Sequence, residues 1–556
     1  SIGLYVGKPA TPNKLEDAQE LIDQRGAESS QTTLPVKACP WCNTELKYEN
    51  QTVRNGRLIT RCVGKDCEFA NGIPFTCIDE EIYSHPPSFL VGTIDKFAQI
   101  TWEPTSGAIL GDPERKIPPP NLIIQDELHL ISDSLGSITG LYETAIDKIC
   151  ESRGAIPKII GSTATIKRAE GQTKKLFCRS AMQFPSSGIC QTDSFFYTED
   201  TTIPGRLYVG VHAQGRSPKH TLPRVIALLK QFCASIKDDD ARDIYHTLVC
   251  YFNSLRELGG ALVLAEDDVP RYLTALAKGG YLPSGCTEAS VQPVKELTSS
   301  LSSAEITSIL EELKIKITDD NEDSDPIGLV LSTNMISVGV DVDRLGAMIV
   351  NGQPKTTSEY IQASSRVGRP RGSAGLVATV YNWTRPRDRS HYERFVGYHR
   401  AFYKHVEALT VTPFSARARD RALHSVLVAI CRHTIPELFH QNSAGGILSE
   451  GVRSSVEAIV EGICDRIDRI DPAEAEDARD ELMKLLSTWV SEAKHNSPGE
   501  LCWNDWGMPR DISRRTMMIA NEEKAGAWVT PLSMRDVDAQ SPVRLLHKND
   551  IGGAGE

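Results

Sequence analysis

Through the first ~400 residues, short apolar runs alternate with stretches whose apolar residues recur every three or four positions. The runs are 89–93, 122–125, 158–161, 206–212, 247–252, 261–264, 328–331, 347–351 and 376–381. They are rich in Val, Ile and Leu on consecutive positions, the pattern of strands covered on both faces. The intervening stretches, 222–236 and 303–314 among them, predict helices. Strands alternating with helices predict parallel α/β domains.

The pattern also suggests boundaries. The polar, Pro- and Gly-bearing segment "TEDTTIPG" marks one near 200–206. From about 415 to 495 the periodicity is helical throughout ("ALHSVLVAICRH", "SSVEAIVEGICDRIDRI"), with a second boundary near 410–415. The expected domains are therefore 1–205, 206–412 and a helical region 413–556, whose "GGAGE" end reads as a loose tail. No solenoid-type repeat is present.

Composition narrows the class. A chain of 556 residues with 40% hydrophobic and 24% charged residues is globular, and no apolar run spans a bilayer. The net charge of −12 excludes a wholly basic binder but leaves room for a local positive groove. Most of the 14 cysteines stand alone in apolar contexts, as expected of reduced thiols in the cytosol. Ser1 is not an initiator methionine, so a processed chain or a fragment is expected.

Chemistry concentrates where runs end. "LIIQDELHLI" delivers Asp126 and Glu127 to the carboxyl end of a strand, where open parallel sheets bind ligands. Asp126 suits Mg²⁺, Glu127 suits orienting or deprotonating a water, and His129 suits sensing a γ-phosphate. Read alone, this is equally an ordinary strand end. "KIIGSTATI" follows with Ser162, Thr163 and Thr165, hydroxyls able to hydrogen-bond the acidic motif. "IGLVLSTNMISVGVDVDRL" ends a third strand in Thr333, Asn334, Gly339 and Asp341, with glycine allowing close approach to a phosphate. In "TSEYIQASSRVGRPRG", Gln362 and Arg366 share a helical face and Arg369 follows. Two arginines with a glutamine suit the charge and the water of phosphoryl transfer.

The order D-E-x-H, S-[AT]-x-T, S-T-x-x-x-x-x-G-x-D, Q-x-x-x-R-x-G-R resembles superfamily 2 helicases. "DELHLISDSLGSITGLYETAID", "ELTSSLSSAEI" and "GSTATI" narrow the resemblance to the DrmA family of DISARM anti-phage systems over about residues 1–410. The resemblance implies an α/β fold of two RecA-like parallel-sheet domains with ATP between them. Asp126 and Glu127 would belong to the Walker B motif, and Arg366 and Arg369 would be arginine fingers. Thr93 and Lys96 in "VGTIDKF" would contact a nucleic-acid strand, as would Asn253 and Ser254 in "YFNSLRELG" and Thr333 and Asn334 after the third strand. It further implies DNA, a partner subunit DrmB and a bacterial cytoplasmic setting. Ser365 departs from the glycine usual before the first arginine.

One part is missing. A phosphate-cradling G-x-x-x-x-G-K-[ST] loop should precede D-E-x-H. The Gly-Lys pairs are Gly7-Lys8, followed by Pro9, and Gly64-Lys65, followed by Asp66, and neither qualifies. Either the loop lies upstream of Ser1 and the first α/β domain is incomplete, which is the expectation because the acids, the glutamine and both arginines are intact, or the chain is a degenerate ATPase; in both cases the chain alone should bind ATP poorly.

Cys39, Cys42, Cys62 and Cys67 form C-x₂-C-x₁₉-C-x₄-C, which predicts a structural Zn²⁺ ribbon inserted at about 36–80. Trp41, Arg54, Arg57 and Arg61 lie within it. Arg385, Arg387, Arg389, Arg417, Arg419 and Arg421, near Trp383 and Tyr392, suit either a strand path or solvated ion pairs. The expected function is an ATP-dependent DNA translocase or helicase. A non-catalytic DNA-binding scaffold and an RNA helicase are the competing classes.

Overall fold

In a computed structural model, the structure describes residues 1–537 except 8–9, 25–34, 164–168, 187–188, 190–194, 197, 199, 201, 280–287, 319–324, 338–340, 370–372, 497–498, 507–514 and 521–525. Contacts divide the chain into two compact units. The first holds the described residues up to 163, 169–182 and those from Leu409 onward; the second holds 183–408.

The first unit starts with β1 (Ile2–Tyr5). The hairpin β2 (Gln51–Arg54) and β3 (Arg57–Thr60) follows, then β4 (Phe75–Thr76), β5 (Phe89–Gly92), β6 (Leu122–Gln125) and β7 (Lys158–Gly161). β1 lies between β4 and β5, all parallel, and β6 pairs parallel with β7. The helices Asp133–Ser152 and Ala416–Thr434 form the centre of its core, joined by Glu450–Ile470 and Ala475–His495. The C-terminal helices therefore share one hydrophobic core with residues 98–150. Polar bonds fix the join: Arg432 Nη1 donates to the Thr101 and Trp102 carbonyls at 2.9 and 3.1 Å, and Trp102 Nε1 donates to Pro531 O at 2.9 Å.

The strands of this unit are covered unevenly. Gly3 and Tyr5 are buried, whereas Ile2 on the same strand is exposed. Phe89 and Val91, in register beside Ile2 and Leu4, are exposed too, Phe89 by 56%. On the other strand pair Leu122, Ile124 and Ile160 are exposed while Ile123 packs on the core. One apolar face of each strand set meets water.

The second unit contains β8 (Arg206–His212), β9 (Leu248–Phe252), β10 (Val294–Leu297), β11 (Leu329–Ser332), β12 (Ala347–Asn351) and β13 (Gly375–Tyr381). They form a six-stranded parallel sheet in the order β10-β11-β9-β12-β13-β8. Here the central strands are covered on both faces, while the edge strand β8 leaves Leu207 and Val209 exposed. Leu248, Cys250 and Phe252 of β9 join one core with the helices Pro218–Ala234 and Leu255–Lys278, and Val249 and Tyr251 join another.

The α/β class, the cysteine ribbon and the helical C-terminal region match the sequence expectation. Two details differ. The run 261–264 is not a strand but part of the helix Leu255–Lys278, whose buried Leu258, Ala261, Ala265, Val269 and Leu273 recur at three and four residues. Four apolar residues in a row fit either element, and the longer window decides. β10 carries Lys295 and Glu296 and so shows no apolar run.

Two histidines of the helix Ala416–Thr434 are buried neutral. Desolvation lowers both to about 3; for His424 the Arg421 charge adds to this, and for His433 its bond to Ile100 O opposes it. The folded values lie below the unfolded one, so the unfolded chain binds protons first as pH falls. Their stability contribution is present above about pH 6.5 and is lost toward pH 3, at a cost of about 2 kcal/mol each by pH 5. The urea midpoint of the first unit should fall between pH 7 and 5, and His424→Gln with His433→Gln should flatten that dependence.

Candidate functional site

β6 and β7 run side by side in register, Gln125 opposite Gly161, so their carboxyl ends emerge together. Asp126 is exposed at the end of β6. Glu127 adopts left-handed φ +49° and ψ 46°, a conformation that costs a non-glycine residue about 1 kcal/mol or more. The turn is held by its neighbours. Glu127 N donates to Asp126 Oδ1 at 3.0 Å, Leu128 N to Ser162 O at 2.9 Å, and Ser162 N to Gln125 O at 2.9 Å. A Cβ at Gly161 would lie 2.7 Å from Leu128 Cδ2, so the Leu128 side chain would have to shift to admit one.

His129 is buried, with Nδ1 3.3 Å from Glu127 Oε2 and 3.1 Å from Thr163 Oγ1. A proton on Nδ1 points toward the carboxylate and the hydroxyl; without it Nδ1 accepts from Thr163. The imidazole thus links the acidic turn to the end of β7. Thr165 lies outside the described residues.

In the second unit, Gln362 lies in the helix Thr357–Ser364. Arg366 is not on that helix, as the spacing suggested, but in the turn that closes it, its N–H donating to Ala363 O at 3.1 Å. Ser365 sits at φ −71° and ψ −8°, where any side chain fits, so the departure from glycine costs no backbone strain. Gly368 is the position that needs glycine: φ is +65° and a Cβ would lie 2.4 Å from Gly375 Cα. Arg369 forms an ion pair with Asp341, and Gly339 lies outside the described residues. The sequence reading missed Arg206 at the start of β8, which donates to Val367 O at 2.7 Å and Ser365 O at 3.1 Å and clamps the arginine loop. It missed Glu407 as well, which receives the Thr357 N–H at 2.9 Å at the helix start. Neither carries a local motif.

The expected strand contacts divide. Thr93 and Asn334 are exposed. Lys96 is buried: Nζ lies 2.6 Å from Asp79 Oδ2 and 3.2 Å from Asn13 Oδ1, so its charge is spent inside the first unit. Thr333 is buried, with its hydroxyl on Asn334. Ser254 accepts Glu257 N at 3.3 Å as a helix cap, and Asn253 Nδ2 donates to Asn351 O at 3.1 Å. Of the basic stretches, Arg419 is buried against Glu474 and Glu481 and Arg421 against Asp536, so these two are structural.

The four ribbon cysteines converge, with all sulfurs within 4.8 Å of one another. Cys39 Sγ is 3.6 Å from Cys67 Sγ, and Cys42 Sγ is 3.4 Å from Cys62 Sγ. Tetrahedral Zn–S bonds of about 2.3 Å place sulfurs about 3.8 Å apart, so the set fits zinc. Thr44 hydrogen bonds lower the Cys42 thiol to about 6; Cys67, despite the Phe69 N–H, is raised to about 12 by desolvation and its neighbouring thiols. Gly64-Lys65 lies in the second knuckle, with Gly64 N on Cys62 Sγ at 3.2 Å, so it serves the ribbon.

The family model for the helicase conserved C-terminal domain matches residues 282–371. The DISARM protein DrmA of Bacillus paralicheniformis is 38% identical over 601 aligned residues, covering 98% of this chain and 52% of the relative. The chain thus carries a match to the helicase conserved C-terminal domain and resembles DrmA over nearly its whole length. It spans about half the length of that curated relative. Among solved structures, the helicase MrfA bound to DNA and AMPPNP is 14% identical, covering 77% of this chain and 48% of its own, with a TM-score of 0.45. The Mycobacterium smegmatis helicase Lhr bound to ssDNA and AMP-PNP is 15% identical, covering 87% and 50%, with a TM-score of 0.43. Among the described residues no helix is long and apolar enough to cross a membrane.

Metal analysis of reduced protein should find about one Zn²⁺ per chain; Cys39→Ser with Cys62→Ser should abolish it. Gly368→Ala should destabilise the second unit by about 1–3 kcal/mol through strain at positive φ and the clash with Gly375, read as a lower denaturation midpoint.

Proposed function

We propose that the chain is the C-terminal part of an ATP-dependent DNA translocase or helicase serving anti-phage defence. The observation that carries this reading is the Asp126–His129 turn, bonded through Ser162 and Thr163 to the end of the adjacent parallel strand. A carboxylate pair in a strained strand-end turn, wired to a neighbouring strand, suits a site that reports bound nucleotide. The resemblance to DrmA supplies the reaction class.

In this reading Asp126 would hold Mg²⁺, and bound ATP would supply the phosphoryl group. Glu127 orients water and accepts its proton at Oε2; His129 Nδ1 holds that carboxylate and passes a change there to Thr163. Gln362 positions polar groups, and Arg366 and Arg369 neutralise developing charge. Arg369 would exchange Asp341 for phosphate. Thr93 and Asn334 remain for the strand path, and Lys96 leaves it. The missing phosphate loop would come from polypeptide preceding residue 1. That segment would also cover the apolar faces bearing Phe89, Val91 and Ile124, because parallel sheets are covered on both sides. By the same resemblance the partner would be DrmB and the setting the bacterial cytoplasm.

The test is DNA-stimulated ATP hydrolysis by the upstream-extended polypeptide. Glu127→Gln and Arg366→Ala should each lower turnover by about 100-fold or more while nucleotide and DNA binding persist. The 556-residue chain alone should show neither turnover nor tight ATP binding. Wild-type turnover in either variant refutes the site. DNA binding with no turnover under any condition makes the protein a scaffold.

A further inference from the structure

We propose that the exposed face of the cysteine ribbon is a second nucleic-acid contact, binding single-stranded chains through Arg54, Arg57, Arg61 and Lys65 with Trp41 as a stacking platform. The inference rests on the ribbon's own surface and stands apart from the motor reading.

The hairpin sets the arginines out. β2 and β3 pair with Gln51 opposite Thr60 and Arg54 opposite Arg57, joined by Asn55-Gly56 at φ 50° and 69°. Residues directly opposite share a face, so Arg54 and Arg57 lie side by side at the tip. Like charges in that relation destabilise a hairpin, and an anion would relieve the repulsion. Arg57 and Arg61 lie on the same face by the two-residue period, about 13 Å apart along the strand. The opposite face, with Gln51, Leu58 and Thr60, is buried.

Several buried arginines elsewhere are paired with acids. Arg344, Arg419, Arg421 and Arg466 are buried and paired with Asp243, Glu474, Asp536 and Asp147. Arg54, Arg57, Arg61 and Lys65 are exposed, and none has an ion-pair partner among the described residues. Arg57 acts on Glu81 only at longer range. Between 35 and 73 there are six basic and four acidic residues, a positive island in a chain of net charge −12.

The knuckles add an apolar element. Trp41, between Cys39 and Cys42, is 65% exposed and packs T-shaped against Phe69 at 6.2 Å and 71°. That packing holds the ring while leaving a face open. Val63, in the other knuckle beside Cys62, is exposed too. Exposed cations without ion-pair partners among the described residues, in one ribbon with an exposed, held indole, match the way single strands are bound, with phosphates on cations and bases on aromatic faces. An acidic protein surface would satisfy the arginines but leave the indole unused.

The test is fluorescence anisotropy of a labelled oligo-dT of about 20 nucleotides, longer than one such site covers, with the purified chain, without ATP, across a salt series. The triple variant Arg54→Ala, Arg57→Ala, Arg61→Ala should bind at least about tenfold more weakly at low salt. Its log K against log salt slope should be shallower by about 2, at roughly 0.7 for each phosphate no longer neutralised. Trp41→Ala should weaken binding about fivefold or more with the slope unchanged. The corresponding triple lysine variant should retain the slope. Circular dichroism and zinc content, equal across variants, guard against misfolding. Wild-type affinity and slope in the triple variant, or no binding by the wild-type chain at low salt, would overturn the proposal and leave the arginines to a protein partner.

Discussion

A parallel sheet has to be covered on both faces, and most of this structure follows from how that demand is met. In the second unit it is met from within: alternate residues of β9 enter two separate cores. In the first unit one side is met by distant sequence. The helix Ala416–Thr434 packs on Asp133–Ser152, and Arg432 reaches across to the carbonyls of Thr101 and Trp102. The other side shows Phe89, Val91, Leu122 and Ile124 to solvent. In the proposed reading a missing phosphate loop and an uncovered apolar face are two consequences of one gap; the chain spans about half the length of its DrmA relative.

The same demand fixes where chemistry can sit. Parallel strands leave their carboxyl ends as the place where polar groups can gather. Asp126, Glu127, Ser162 and Thr163 occupy two such ends, and Thr333, Asn334 and Asp341 follow a third. The helix caps and loop clamps keep these ends in place. Arg206 and Glu407 act on the loop and helix that carry Gln362, Arg366 and Arg369, and Gly368 turns the chain where a side chain would strike Gly375.

Much of this was legible in the sequence, because the parallel strands are apolar on consecutive positions whether or not both of their faces are covered here. The extents of β6, β7, β8 and β12 follow directly from that signal. It failed at 261–264, where four apolar residues belong to a longer helical stripe, and at β10, whose charged residues hide it. Cysteine spacing was legible for a similar reason, since two short loops bring four thiols together whatever surrounds them. Long-range pairing was not legible. Lys96 looks free in "VGTIDKF" and is buried on Asp79, and Arg419 looks like a phosphate ligand and is buried on Glu474 and Glu481. Charge type is written in the sequence, but the partner is chosen by packing between segments far apart in it.

In the proposed function the β6–β7 strand ends form a nucleotide-responsive turn that additional polypeptide completes. Amide hydrogen exchange tests this directly, comparing the 556-residue chain with the upstream-extended protein, each with and without a non-hydrolysable ATP analogue. The account predicts that the extended protein gains protection at residues 122–130 and 158–163 on nucleotide addition, while the shorter chain does not respond. Nucleotide-independent exchange at both strand ends in the extended protein would contradict it.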